Sequence, residues 1–148
     1  MRPLSDIRQE LLSQHASVRG LAEGVKELAE RPPTASAASE LGRLLHALGD
    51  AIDAHNAREE QLLDDIVPTI DAWGSIRAAR LDEHHRQEHR RLLEAIRAAA
   101  ESKDFTVATH AALAAIEELE GHMRAEEEEV LSPNVLRDDV TNIDQTDG

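Results

Sequence analysis

The sequence predicts an all-α chain folded as an up-down-up-down antiparallel four-helix bundle, on three observations. Apolar residues make up 41% of the 148 positions, and Trp73 and Phe105 are the only aromatics. Abundant Ala, Leu, Glu and Arg with no β-branched or aromatic runs favour helix throughout. Apolar residues also recur three and four apart, the period of a helix that buries one face. Finally, breakers are confined to short segments, and long helices joined by short loops pack as antiparallel neighbours.

The first helix is expected from about Asp6 to Glu30, ending at Arg31-Pro32-Pro33 because paired prolines cannot continue it. The second runs from about Ser36 to Val67 and meets Pro68. The third follows Gly74-Ser75, with Ser75 as the expected N-cap, and reaches about Glu101. The fourth opens near Asp104, another N-cap, and fades at Ser132-Pro133. The bundle is thus expected over residues 1–135. Residues 136–148, with Asp138, Asp139, Asp144 and Asp147, read as an acidic, disordered tail.

A formal net charge of −14 argues against nucleic acid, whose phosphates need clustered Lys and Arg. The chain has no cysteine, which excludes disulfides and thiolate metal sites. Nothing near Met1 resembles a signal peptide and no apolar run approaches a membrane span, so a cytoplasmic location is expected.

The informative residues are polar ones set on apolar stripes. In helix two the stripe reads Leu41, Leu45, Leu48, Ile52, His55, Glu59, Leu62, Ile66, spaced four and three without a break. A carboxylate buried there costs several kcal/mol unless it is paired or ligated. The bland reading puts Glu59 on a wet flank beside Arg58 or Arg91. The same anomaly recurs in helix one (Ile7, Leu11, His15, Val18, Ala22, Val25) and helix three (Leu81, His85, His89, Leu92, Ile96). Helix four reads Leu113, Ile116, Leu119, His122, Glu126, Val130. A spacing of four turns a side chain by only roughly 40°, so His and Glu in each pair can reach one ion. A lone core histidine is more often satisfied by a carbonyl, but mid-stripe histidines on four helices come to one level in an antiparallel bundle. His46 and His110 fall off the stripes and read as surface residues.

Five imidazoles and two carboxylates form a nitrogen–oxygen donor set suited to iron, and less exclusively to manganese or zinc. Two octahedral ions offer about twelve positions. Five imidazoles, two bridging carboxylates and one bridging oxygen leave one position open for a small molecule. Ferritin-like di-iron bundles use Glu-x-x-His, whereas the apolar stripes of this chain carry His-x-x-x-Glu twice. The zincin motif is absent, because Arg86 stands where its glutamate would be.

With His15, His55-Asn-Ala-Arg-Glu59-Glu60, His85-Arg-Gln-Glu-His89 and His122-Met-Arg-Ala-Glu126-Glu127, the chain resembles the hemerythrin-like, or HHE cation-binding, family over about residues 5 to 135. The resemblance implies two non-haem iron ions joined by a bridging oxo or hydroxo group. One iron takes three histidines and the other two, and Glu59 and a helix-four carboxylate bridge them. The expected ligands are therefore His15, His55, Glu59, His85, His89, His122 and Glu126. Two alternatives stay open: Glu127, roughly 140° from His122 on a regular helix, and His84, which leaves the line from Leu81 to Leu92. The implied function is binding or sensing of dioxygen or nitric oxide. The alternatives are a redox enzyme acting on peroxide or nitric oxide, an iron-homeostasis protein, or a bundle with no metal.

Overall fold

The computed structural model describes residues 4–66 and 74–129, with side chains described at 5–62 and 86–128. Among these residues there are four helices and no strand: α1 (Leu4–Ala29), α2 (Ala35–Ile66), α3 (Gly74–Glu101) and α4 (Phe105–Glu129). The expected acidic tail, Trp73 and the side chains of His84 and His85 lie outside the described residues. No helix among the described residues is long and apolar enough to cross a membrane.

The helix ends follow from local chemistry. In α1 the last turn tightens, with the Arg31 amide donating to the Leu28 carbonyl at 3.1 Å, before the two prolines remove the donors a further turn would need. The N-cap of α2 is Thr34, whose Oγ1 accepts from the Ala37 amide at 3.1 Å, so the helix starts earlier than the expected Ser36. Asp104 caps α4 as expected, its Oδ1 accepting from Val107 at 3.1 Å. The helix α3 starts at Gly74, one residue before the expected cap, Ser75.

Each helix packs on two others, α1 on α2 and α4, and α3 on α2 and α4. The paired positions run in opposite directions. Along α1 and α2, Glu10 meets Arg58, Gln14 meets His55 and Gly24 lies against Leu44. Gly49 and Glu59 of α2 lie beside Ile96 and His89 of α3. Arg91 and Glu88 of α3 meet Glu118 and His122 of α4, and His15 and Arg19 of α1 meet Glu126 and Glu120. This is the pattern of antiparallel neighbours that short connections require.

The core is aliphatic. Val18, Ala22, Val25 and Leu28 pack with Leu41, Leu45, Leu48, Ile52, Leu92, Ile96 and the α4 residues Ala112, Ile116, Leu119 and Met123. In α1 and α2 the predicted stripes are buried as far as side chains are described. Helix four differs. Its buried line runs Ala112, Ile116, Leu119, Met123, Glu126, while Leu113 is 40% exposed. Residue 113 sits about 100° round from 112, and alanines at 108, 112 and 115 let α4 close on its neighbours where a leucine would hold it off. Leu48→Ala, in the fully buried line, should cost about 2–5 kcal/mol in denaturant unfolding, whereas Leu113→Ala should stay within about 0.5 kcal/mol. Equal losses would contradict this orientation of α4.

Candidate metal centre

Past Val18, Ile52, Leu92 and Leu119 the aliphatic core gives way to a polar layer. His15, His55, Glu59, His89 and Glu126 are all buried there, with Glu59 1% and Glu126 2% exposed. His122 joins them from the flank of α4, one residue before the buried Met123. The wet-flank reading of Glu59 fails, since Arg58 turns to Glu10 and Arg91 to Glu118. His46 and His110 are exposed, as expected.

The histidines come in two pairs. Nε2 of His15 and of His55 are 3.2 Å apart, and Nε2 of His89 and of His122 are 2.9 Å apart. The two carboxylates lie between the pairs, and each turns one oxygen to either side. Glu59 sends Oε2 to His55 Nε2 at 2.9 Å and Oε1 towards His89 Nε2 at 3.9 Å. Glu126 sends Oε1 to His15 Nε2 at 2.9 Å and Oε2 to His122 Nε2 at 3.3 Å. Donor atoms of His15, His55, Glu59 and Glu126 all fall within 4.8 Å of one another, as do those of His89, His122 and Glu126. Each set is capable of holding a metal ion, and Glu126 belongs to both.

A second layer orients the rings. His15 Nδ1 stands 2.9 Å from Glu127 Oε2, His55 Nδ1 2.7 Å from Gln14 Oε1, and His122 Nδ1 3.1 Å from Glu88 Oε1. An ionised carboxylate only accepts, so a metal ion at Nε2 of His15 or His122 would leave the one ring proton on Nδ1, where Glu127 or Glu88 accepts it. Acceptors on Nδ1 are what metal-bound histidines ordinarily carry.

The donor set fits a metal. Two nitrogens bound at right angles to one ion at about 2.1 Å stand about 3.0 Å apart, close to the spacing in both pairs. Facing lone pairs beside two buried carboxylates call for positive charge. Protons can supply part of it. Burial opposes charge on His55, but contacts with Glu126 and Glu59 outweigh it and raise its pKa to about 9. Burial likewise opposes charge on His122, and Glu126, Glu88 and Glu59 more than offset it, so that pKa is also raised. Burial pushes Glu126 up, yet its contacts with Glu59, His122, His15 and His55 hold it well below the usual carboxylate range. Outside the cluster, Glu127 is lowered chiefly by its hydrogen bonds from Arg19.

The structure brings six of the seven expected residues together, and His85 lies outside the described side chains. Of the two α4 alternatives, Glu126 faces the cluster, while Glu127 reaches the back of His15. Sequence reading missed Gln14, Glu88, Arg19 and this use of Glu127. The one signal for Arg19 is its place four residues after His15, on the same helix face.

The proton on His55 has a consequence of definite sign. In the metal-free protein it stabilises the fold fully below about pH 6.5, and that contribution is lost as pH rises through about 9. Ligation needs a neutral ring, so a cation must displace the proton. Calorimetric titration with Zn²⁺ at pH 7, in buffers of different ionisation enthalpy, should show release of at least one proton per chain. Affinity should rise up to about tenfold per pH unit from pH 7 and level off near pH 9. Binding without proton release would remove His55 from the ligand set.

Comparison with known proteins gives one match. The family model of the hemerythrin HHE cation-binding domain fits residues 6–133. No curated protein and no solved structure matches the chain.

Proposed function

Since the chain belongs to the hemerythrin HHE cation-binding domain family, we propose that its buried cluster holds two non-haem irons and binds dioxygen or a related small diatomic. One observation carries this reading: both buried carboxylates turn one oxygen to each histidine pair. A mononuclear site has no use for that arrangement. Glu59 and Glu126 would then serve both ions, with His15 and His55 holding one and His89 and His122 the other. The family resemblance implies His85, one turn before His89, as the fifth histidine. Imidazole and carboxylate donors without thiolate favour iron over softer metals.

The irons would supply redox change and Lewis acidity at a position left open to a small ligand. The chain supplies the surroundings. Beside His55, His89 and His122 lies a cavity of about 10 Å³, walled by Val18, Ile52, Leu92, Leu119 and Met123. That is about the least space that can hold one water-sized molecule. Its aliphatic walls keep out bulk water and stray protons, and its size limits the ligand to a few atoms.

A second reading, turnover of a small polar molecule such as peroxide, draws on a different feature. A groove between α2 and α3, lined by Asp53, Glu60, Arg86, Arg90 and Leu93, reaches Asn56 and His89. Those two residues also line the inner cavity, so the groove and the cavity share a wall on this side. Disproportionation of hydrogen peroxide to water and dioxygen needs no other reductant.

Protein from iron-replete cells should contain about two irons per chain, with near-ultraviolet bands of an oxo-bridged ferric pair. Reduced protein should bind nitric oxide with a change in spectrum. Glu59→Ala should lose most of the metal rather than half, while His46→Ala and His110→Ala keep it. Absence of any transition metal would defeat the proposal, and stoichiometric zinc alone would remove its redox part. Rapid dioxygen release from peroxide by the iron-loaded protein, without stable diatomic binding, would favour the second reading.

Val18→Ile adds a methyl group to the wall of the inner cavity. Metal content should be unchanged, and nitric oxide affinity should fall about tenfold or more, in line with the roughly 1–3 kcal/mol cost of overpacking. Unaltered affinity would place the ligand elsewhere.

A further inference from the structure

Glu127 is an acid that touches a buried histidine from outside the cluster. His15 is fully buried. One face of its ring reaches the cluster, where Nε2 lies 2.9 Å from Glu126 Oε1 and 3.2 Å from His55 Nε2. On the other face, Nδ1 donates to Glu127 Oε2 at 2.9 Å. Glu127 is itself held by a two-pronged contact from the next turn of α1. Arg19 Nη1 donates to Oε2 at 2.7 Å and Nη2 to Oε1 at 2.9 Å. Arg19 Nε also donates to Glu120 Oε2 at 3.3 Å, about two helical turns back along α4.

The geometry has two effects. A guanidinium fork matches a carboxylate with both hydrogen bonds at once, so it fixes the plane of the acid as well as its position. An acid so fixed can accept only from a ring oriented towards it, and it demands the proton on Nδ1. Nε2, which points inward, can then give its lone pair to a cation while the ring keeps its Nδ1 proton. Arg19 also balances the charge of Glu127, so an acceptor is placed behind His15 without adding net negative charge beside Glu59 and Glu126.

We propose that Glu127, clamped by Arg19, is the positioning residue of His15: it sets the ring's tautomer and aims Nε2 at the ion that His15 shares with His55. This inference rests on the two-ion reading of the cluster. It assigns Glu127 a role outside the ligand set, and makes Arg19, a surface-edge residue of another helix, part of the same device.

Titration of the metal-free protein with Co²⁺, followed by visible absorption, tests it. The parent should take up about two equivalents. Glu127→Ala should also take up two, one of them about 10–100-fold more weakly, the usual effect of losing such a partner. Glu127→Gln keeps an acceptor oxygen for Nδ1 and should recover most of the loss. Arg19→Ala should weaken the same equivalent by a smaller factor, and adding it to Glu127→Ala should change nothing further. A merely structural ion pair would instead lower the melting temperature of the metal-free variants while leaving both affinities as in the parent. Parental affinity for both equivalents in Glu127→Ala, or in Arg19→Ala and Glu127→Gln should the alanine variant not fold, overturns the inference. So does an equal weakening of both. A parent that binds no Co²⁺ defeats the two-ion reading itself, and this inference with it.

Discussion

Burial of Glu59 and Glu126 among four histidines is the constraint around which the molecule is arranged. A carboxylate removed from water costs several kcal/mol unless opposite charge and hydrogen bonds replace its hydration. Here two of them sit at the centre of a bundle whose other core residues are Val, Leu, Ile, Ala and Met. The same carboxylates raise the pKa of His55 to about 9 and raise that of His122 as well, so a proton on His55 offsets part of that charge in the metal-free chain. A bound cation would replace that proton with charge that every donor can reach, coupling metal binding and folding through the same side chains.

Rigid helices make that arrangement possible. A site built on helices holds its donors more narrowly than one built on loops, and each helix contributes to this one. The two histidine pairs join α1 to α2 and α3 to α4, and each carboxylate spans both pairs. The centre is therefore a cross-link of the whole bundle as well as a candidate metal site. On one side the aliphatic core closes over it and leaves a space of a few atoms. At the edges Gln14, Glu88 and Glu127 brace the rings.

Much of this was readable in the chain because helices impose a short period. The line from Leu41 to Leu62 could bury its aliphatics only by carrying His55 and Glu59 inside with them, and the structure shows that. His15 follows in the same way from Leu11 and Val18. The period failed at α4, where alanines allow either of two adjacent lines to face inward. Leu113 was assigned to the stripe for its hydrophobicity, yet close packing selected Ala112 and exposed Leu113. The second helix was expected from about Ser36, but Thr34, just after Pro33, caps it and starts it earlier.

The sequence by itself determined the helices, the inward face of α1 and α2, and the chemical kind of the centre, since these depend on residues three or four apart on one helix. Which carboxylate oxygen faces which histidine depends on residues more than a hundred positions apart, as with His15 and Glu126. The same holds for the Arg19–Glu127 clamp, whose partners lie 108 positions apart. Identical neighbouring acids at 126 and 127 carry no local mark of their different tasks. Only the packing of α4 against α1 turns one into the cluster and leaves the other behind His15, because the direction of a side chain is set by the rotation of its helix against its neighbours.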